Sequence, residues 1–170
     1  MIFPVSVGDF QRVSLVRYDA DGLDVSAGYN LVTSLDGIVA TVYVYPAPSL
    51  VSIGSPSEAV ASARTTLCDS EFERRKREII STHPGANLIA QQDVASPQGS
   101  EAVPGKMAAY EFEDVFWNKR QSLQSELYVY CYVGGKWAFE YRFTSPKSSS
   151  AADMIPAFMK ALTWTISAKS

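Results

Sequence analysis

Gly134 and Gly135 stand between two runs of alternating side chains, Ser122 to Val133 and Lys136 to Thr144. Adjacent glycines supply the positive φ that a tight hairpin turn needs, so the segment reads as two antiparallel strands. Even alternation then sorts the side chains into two faces. Leu127, Val129, Cys131 and Val133 oppose Trp137, Phe139, Tyr141 and Phe143 on a thoroughly apolar face that belongs to a core. The other face carries Glu126, Tyr128, Tyr130 and Tyr132 across from Ala138, Glu140 and Arg142. Such an amphipathic face is either half-covered by a helix or left open as a binding surface, because tyrosine offers contact area and a hydroxyl at low entropy cost. Tyr128, Tyr130, Tyr132, Glu140 and Arg142 are therefore the candidate binding surface.

The same alternation opens the chain. Val13 to Tyr18 and Val25 to Leu31 flank the turn Asp19-Ala20-Asp21-Gly22, and Asp36-Gly37 leads into a third strand, Ile38 to Tyr45, which Pro46 and Pro48 stop. From about Ser57 to His83 the pattern changes to helical. Ala61, Thr65, Cys68, Phe72, Ile79 and His83 fall on one stripe with Arg75 and Lys76 at its edges, and His83-Pro84-Gly85 ends it. A short strand, Asn87 to Val94, precedes a loop-like segment, Ala95 to Lys106, and then Met107 to Phe116 begins the last three strands. Ser148-Ser149-Ser150 caps a final helix, Ala151 to about Trp164. The order is βββ-α-β-βββ-α. At 170 residues without a repeat or a linker, this predicts one domain, residues 1–170, of the α+β class: a largely antiparallel sheet with helices packed on it.

Composition narrows the chemistry. One histidine, His83, and two cysteines 63 residues apart supply no zinc centre. A net charge of −3 without a basic block argues against a nucleic-acid partner. The longest apolar runs, Ile38 to Tyr45 and Leu127 to Val133, are far shorter than the ~20 residues of a membrane-spanning helix, so no transmembrane segment is expected. Asp19 to Asp24 (DADGLD) lacks the glycine and glutamate positions of a calcium-binding EF-hand loop and reads as a turn. The charge run Glu71 to Glu78 resolves into helical pairs, Glu71 with Arg75, Glu73 with Arg77 and Arg74 with Glu78, which describes a solvated face. His83 has no G-x-S-x-G partner, Gly134-Gly135-Lys136 does not enter a helix, and no cofactor motif is present. Cys68 and Cys131 are either two small core residues or, in an oxidising compartment, a disulfide.

The element order, together with Phe10-Gln11-Arg12, Tyr18, Asp24 to Tyr29 and Thr41 to Tyr45, resembles uncharacterised bacterial proteins whose precursors usually carry a signal peptide, and the overall layout resembles the PsbP-like α/β/α sandwich. That fold is shared by an extrinsic photosystem II subunit, a Ran-binding nuclear protein of yeast and several bacterial envelope proteins. The resemblance implies a bacterial binding or accessory domain without catalysis and carries no functional residue across. The N-terminal text MIFPVSVGDF has no basic n-region and no long apolar h-region, so the chain is either cytoplasmic or begins where a signal peptide was removed. The leading expectation is an interaction domain, periplasmic or secreted, that takes a protein or small ligand on the tyrosine face and nearby loops. A cofactor-free, hydrolase-like enzyme built on Glu140, Arg142 and His83 is the alternative, as is a carrier of apolar ligands. An edge strand pairing with its copy would make a homodimer.

Overall fold

A computed structural model describes residues 3–32, 37–49, 54, 56–99, 105–149 and 153–164. Its strands are β1 (Ser6–Val7), β2 (Phe10–Arg17), β3 (Val25–Val32), β4 (Gly37–Pro46), β5 (Asn87–Val94), β6 (Gly105–Phe116), β7 (Lys119–Val133) and β8 (Trp137–Pro146). Two helices, α1 (Ser57–Thr82) and α2 (Met154–Ala161), complete it. The expected α+β order is present with one addition, the two-residue β1. The predicted turn at Asp36, the serine cap at Ser150, the helix start at Ala151 and the centre of the Ala95 to Lys106 loop lie outside the described residues.

All strands pair antiparallel in one eight-stranded sheet of order β1-β2-β3-β4-β8-β7-β6-β5. Two meanders meet at a single seam, where β4 pairs with β8 from Val39–Thr144 to Pro46–Trp137. Each face of the sheet carries a helix and its own core. Under α1 lie Cys68, Phe72 and Ile79 with Tyr110, Phe112, Leu127, Val129 and Cys131. Under α2 lie Ile155, Phe158 and Met159 with Tyr29, Val42, Tyr128, Tyr130, Phe139, Tyr141 and Phe143. Alternation along a strand sends neighbouring residues to opposite faces, which is why one hairpin feeds both cores.

The expected pairing of faces in that hairpin is corrected by one residue. Next to the turn Val133 does pair with Trp137, but Tyr132 takes a positive φ of 57° in a bulge that absorbs a residue. Beyond it the register is Tyr130 to Phe139, Tyr128 to Tyr141, Val129 to Glu140 and Leu127 to Arg142. A one-residue shift exchanges faces. Tyr128 and Tyr130 therefore join Phe139, Tyr141 and Phe143 beneath α2, while Glu140 and Arg142 join Leu127 and Val129 beneath α1. The sheet has no spare apolar face here; both are core.

Cys68 of α1 and Cys131 of β7 form a disulfide. The second open alternative for the cysteines is the one realised, and it staples the helix to the middle of the sheet. α2 is fixed from the other side. Gln98 donates from Nε2 to the Met159 and Leu162 carbonyls at 3.0 and 3.3 Å, supplying partners to the last turn of a short helix. Trp164 then packs on Phe139 and Tyr130, with ring centroids 4.9 and 5.2 Å away, and donates its indole N–H to Tyr141. No described helix is long and apolar enough to cross a membrane.

Candidate functional site

The five residues of the expected binding surface do not form one surface. Tyr128 and Tyr130 lie under α2 at 9% and 2% exposure, whereas Tyr132, Glu140 and Arg142 lie on the α1 side, with Tyr132 at 5% and Glu140 at 0%. Tyr128 donates to Glu126 Oε2 at 2.6 Å, and burial pushes the Tyr130 hydroxyl pKa up to about 12. Both are structural tyrosines. Tyr130 fits because Gly105 opposite it has no side chain: a Cβ there would stand 2.2 Å from the ring.

Glu140 and Arg142 belong to a network that the charge run of α1 does not suggest when read as a solvated face. Arg75 turns inward, and its Nε reaches Glu140 Oε2 at 3.0 Å and Glu71 Oε1 at 2.8 Å, with its guanidinium 4.4 Å from the Tyr45 ring centre. Arg142 pairs with Glu140 and, through Nη2, with Glu78 Oε2 at 2.7 Å. Arg74 bridges Glu71 and Glu78 at 2.7 and 3.0 Å. Three carboxylates and three guanidiniums balance. Burial, the largest influence, raises the Glu140 carboxyl above its ordinary pKa against the pull of Arg142 and Arg75. Burial also pushes Glu71 upward, but hydrogen bonds from Arg74 and the charge of Arg75 outweigh it and hold Glu71 below the ordinary value. Glu78 is lowered in the same way, with Arg142 and Arg75 overcoming burial.

The signs give a testable pH dependence. A carboxyl lowered in the fold contributes stability above its unfolded pKa and loses it as pH falls through the folded one, so Glu71 and Glu78 weaken the fold below pH 4.5. Glu140, being raised, contributes the opposite slope, since its protonation in the fold begins above 4.5. Melting temperature followed from neutral pH to pH 3 should therefore fall less steeply in Glu71→Gln than in the native chain. Equal slopes would refute the assignment.

His83 stands apart from this network. It caps the end of α1, lies 3.1 Å from Asp114 Oδ2 through Nδ1, and stacks on Phe112 with centroids 4.3 Å apart. Eight residues of helix separate it from Arg75, a rise of about 12 Å. The groups of the hydrolase alternative are thus not gathered: Glu140 and Arg142 meet under the middle of α1, and His83 sits at its end. Of the charge pairs expected along α1, Glu71–Arg75 and Arg74–Glu78 form, while Glu73 pairs with Lys76 at 2.9 Å.

A concave site lies at the hairpin end of the sheet. The bulge at Tyr132 places its ring on the α1 side, where its hydroxyl donates to the Pro48 carbonyl at 3.0 Å and the Arg64 guanidinium sits 5.1 Å from the ring centre. Gly134 and Gly135, with φ of 57° and 82°, turn the chain, and the Ala47 N–H donates to the Lys136 carbonyl at 2.9 Å, fastening the end of β4 to the turn. Leu23, Pro46, Arg64, Tyr132, Lys136 and Trp137 line the resulting cleft of about 410 Å³. No Asp or Glu is among its described lining residues. Two buried donors in its walls, Arg64 Nε and Trp137 Nε1, have no hydrogen-bond partner among the described residues. Orphaned donors are uncommon in folded proteins and call for an acceptor.

Of the five expected site residues only Tyr132 belongs to this cleft. Arg64, Lys136 and Trp137 escaped the sequence reading because they come from a helix, a turn and a strand end. No local pattern in the sequence brings them together. Among the described residues no group of three or more His, Cys, Asp or Glu is placed to hold a metal ion. No family model, curated protein or solved structure matches the chain.

Proposed function

We propose that this protein is a non-catalytic interaction domain of an oxidising compartment, periplasmic or extracellular, that takes a small ligand or a partner's side chain in the cleft at the β7–β8 turn. The observation that carries the reading is the pair of buried donors, Arg64 Nε and Trp137 Nε1, that lack a partner among the described residues in the walls of a cleft of about 410 Å³. That volume is within the roughly 300–1,000 Å³ range of small-molecule sites. The recess between α2 and the sheet, near Glu126 and Ile155, measures about 70 Å³, which disfavours a carrier of apolar ligands there. The ionised groups beneath α1 neutralise one another and serve the packing of helix on sheet, which speaks for an accessory domain over an enzyme. The disulfide supports export, since such bonds persist where thiols are not kept reduced. A helix on either face of an antiparallel sheet is also in keeping with the PsbP-like sandwich, whose members mostly act as binding domains.

A fragment library screened by NMR on ¹⁵N-labelled protein tests the site. Binders should shift the Trp137 indole N–H and the Gly135 and Lys136 amides, and Trp137→Phe should weaken them about tenfold while melting changes little. Hits that map elsewhere, or that ignore the substitution, would remove the cleft from consideration. Compartment is checked separately: in protein taken from its native cells, Cys68 and Cys131 should alkylate only after reduction.

A further inference from the structure

The geometry points to a carboxylate on a planar, apolar body as the group this cleft receives, an inference that rests on the cleft being the binding site. Three features select that chemistry. First, Arg64 and Lys136 bring two positive charges to a cleft with no carboxylate among its described lining residues, in a chain whose net charge is −3. Neither cation forms a salt bridge among the described residues, so an anion entering the cleft displaces no internal partner. Hydrogen bonds from ionised donors are about twice as strong as neutral ones, and Arg64 Nε is already desolvated and has no acceptor among the described residues.

Second, two backbone donors of the turn are already used. Gly135 donates to the Tyr132 carbonyl at 2.8 Å and Lys136 to the Val133 carbonyl at 3.4 Å. Phosphate sites ordinarily gather several free backbone N–H groups into a nest, and those of Gly135 and Lys136 are not free to form one. A carboxylate needs no such nest, because the side-chain donors of the cleft, two cations and an indole N–H, suffice for its two oxygens.

Third, the walls beside the cations are flat and apolar. The Lys136 ammonium is 5.6 Å from the centre of the Trp137 ring and the Arg64 guanidinium 5.1 Å from that of Tyr132, while Pro46 and Leu23 complete the wall. A ring attached to the carboxylate would lie against Trp137 or Pro46 while its charge meets Arg64 and Lys136. A free aromatic acid and the terminal carboxylate of a chain ending in an aromatic residue share this chemistry.

The test titrates ¹⁵N-labelled protein with 3-phenylpropionate, with its neutral twin 3-phenylpropionamide, and with N-acetylphenylalanine as a mimic of a chain terminus. At least one acid should shift the Trp137 indole resonance and bind about tenfold more tightly than the amide, and the tighter of the two acids identifies the source. Arg64→Gln and Lys136→Gln should each weaken that acid about tenfold, added salt should weaken it further, and the amide should respond to neither. If acid and amide bind alike, the carboxylate class falls and the cleft remains a binding site. If both acids are silent while library fragments still move Trp137, the inference again falls alone. Silence from acids and library together overturns both readings.

Discussion

Arg75→Met should destabilise the fold by about 3–5 kcal/mol, the effect of removing one partner from a buried ion pair. The side chain it replaces is only 14% exposed and touches Glu140, Glu71 and Tyr45 at once. Without Arg75, Glu140 keeps Arg142 alone, and one of its two oxygens loses its cationic partner in a site that water does not reach. Protonating Glu140 relieves that loss, so the variant should regain part of its stability as pH is lowered from neutral, since burial already raises this carboxyl. Glu140→Gln should cost less, because the amide keeps an acceptor for Arg75 and because Arg75 and Arg142 keep Glu71 and Glu78 as ionic partners. Combining Glu140→Leu with Arg75→Met should fall well short of the sum of the single effects, since replacing both members of a buried pair leaves no lone charge. Urea denaturation of the four variants decides the matter, and an Arg75→Met chain within 1 kcal/mol of the native one would show that the network is ornamental to stability.

Reduction of the Cys68–Cys131 bond is the second large effect. The cysteines are 63 residues apart, and a closed loop of that size restricts the unfolded chain by about 4 kcal/mol in the chain-entropy account. The bond joins two buried core positions, so the folded state gains little back when it opens. The expected loss is about 2–4 kcal/mol for Cys68→Ser with Cys131→Ser, or for the native chain in reductant. For a domain of this size that corresponds to a melting temperature lower by roughly 5–15 °C. The cores under α1 and α2 should still form, leaving far-ultraviolet circular dichroism unchanged at room temperature. A double variant that melts with the native protein would place the stabilising work of this interface elsewhere, in Phe72 and Ile79.

The alternation around Gly22 and Gly134 sufficed to locate the strands, because period two and turn glycines are local properties of the chain. The helical stripe of α1 was legible for the same reason, through Cys68, Phe72 and Ile79. Faces were harder. One bulge at Tyr132, whose backbone adopts a positive φ that sequence does not announce, moves Tyr128 and Tyr130 from an expected surface into the core beneath α2. Arg75 illustrates a different limit: beside Glu71 and Glu78 it fits a solvated helix face, and only the position of Glu140 on β8 turns it inward. The cleft was least legible. Its residues are separated by up to 114 positions, from Leu23 to Trp137, and they meet only because β4 and β8 end side by side.

That meeting of β4 and β8 has a consequence for how the chain reaches its fold. Among the described strands it is the only pairing between the two meanders, and its partners lie about 90 to 105 residues apart in sequence, a separation that slows folding through the entropy of closing so long a loop. A chain emerging N-terminus first completes β2, β3 and β4 long before β8 exists. During that interval Ile38, Ala40, Val42 and Val44 have no α2 to cover them, and the outer edge of β4 offers its unpaired backbone to any other strand. The most vulnerable surface of this protein is therefore a transient one, which the finished molecule hides at the centre of its sheet.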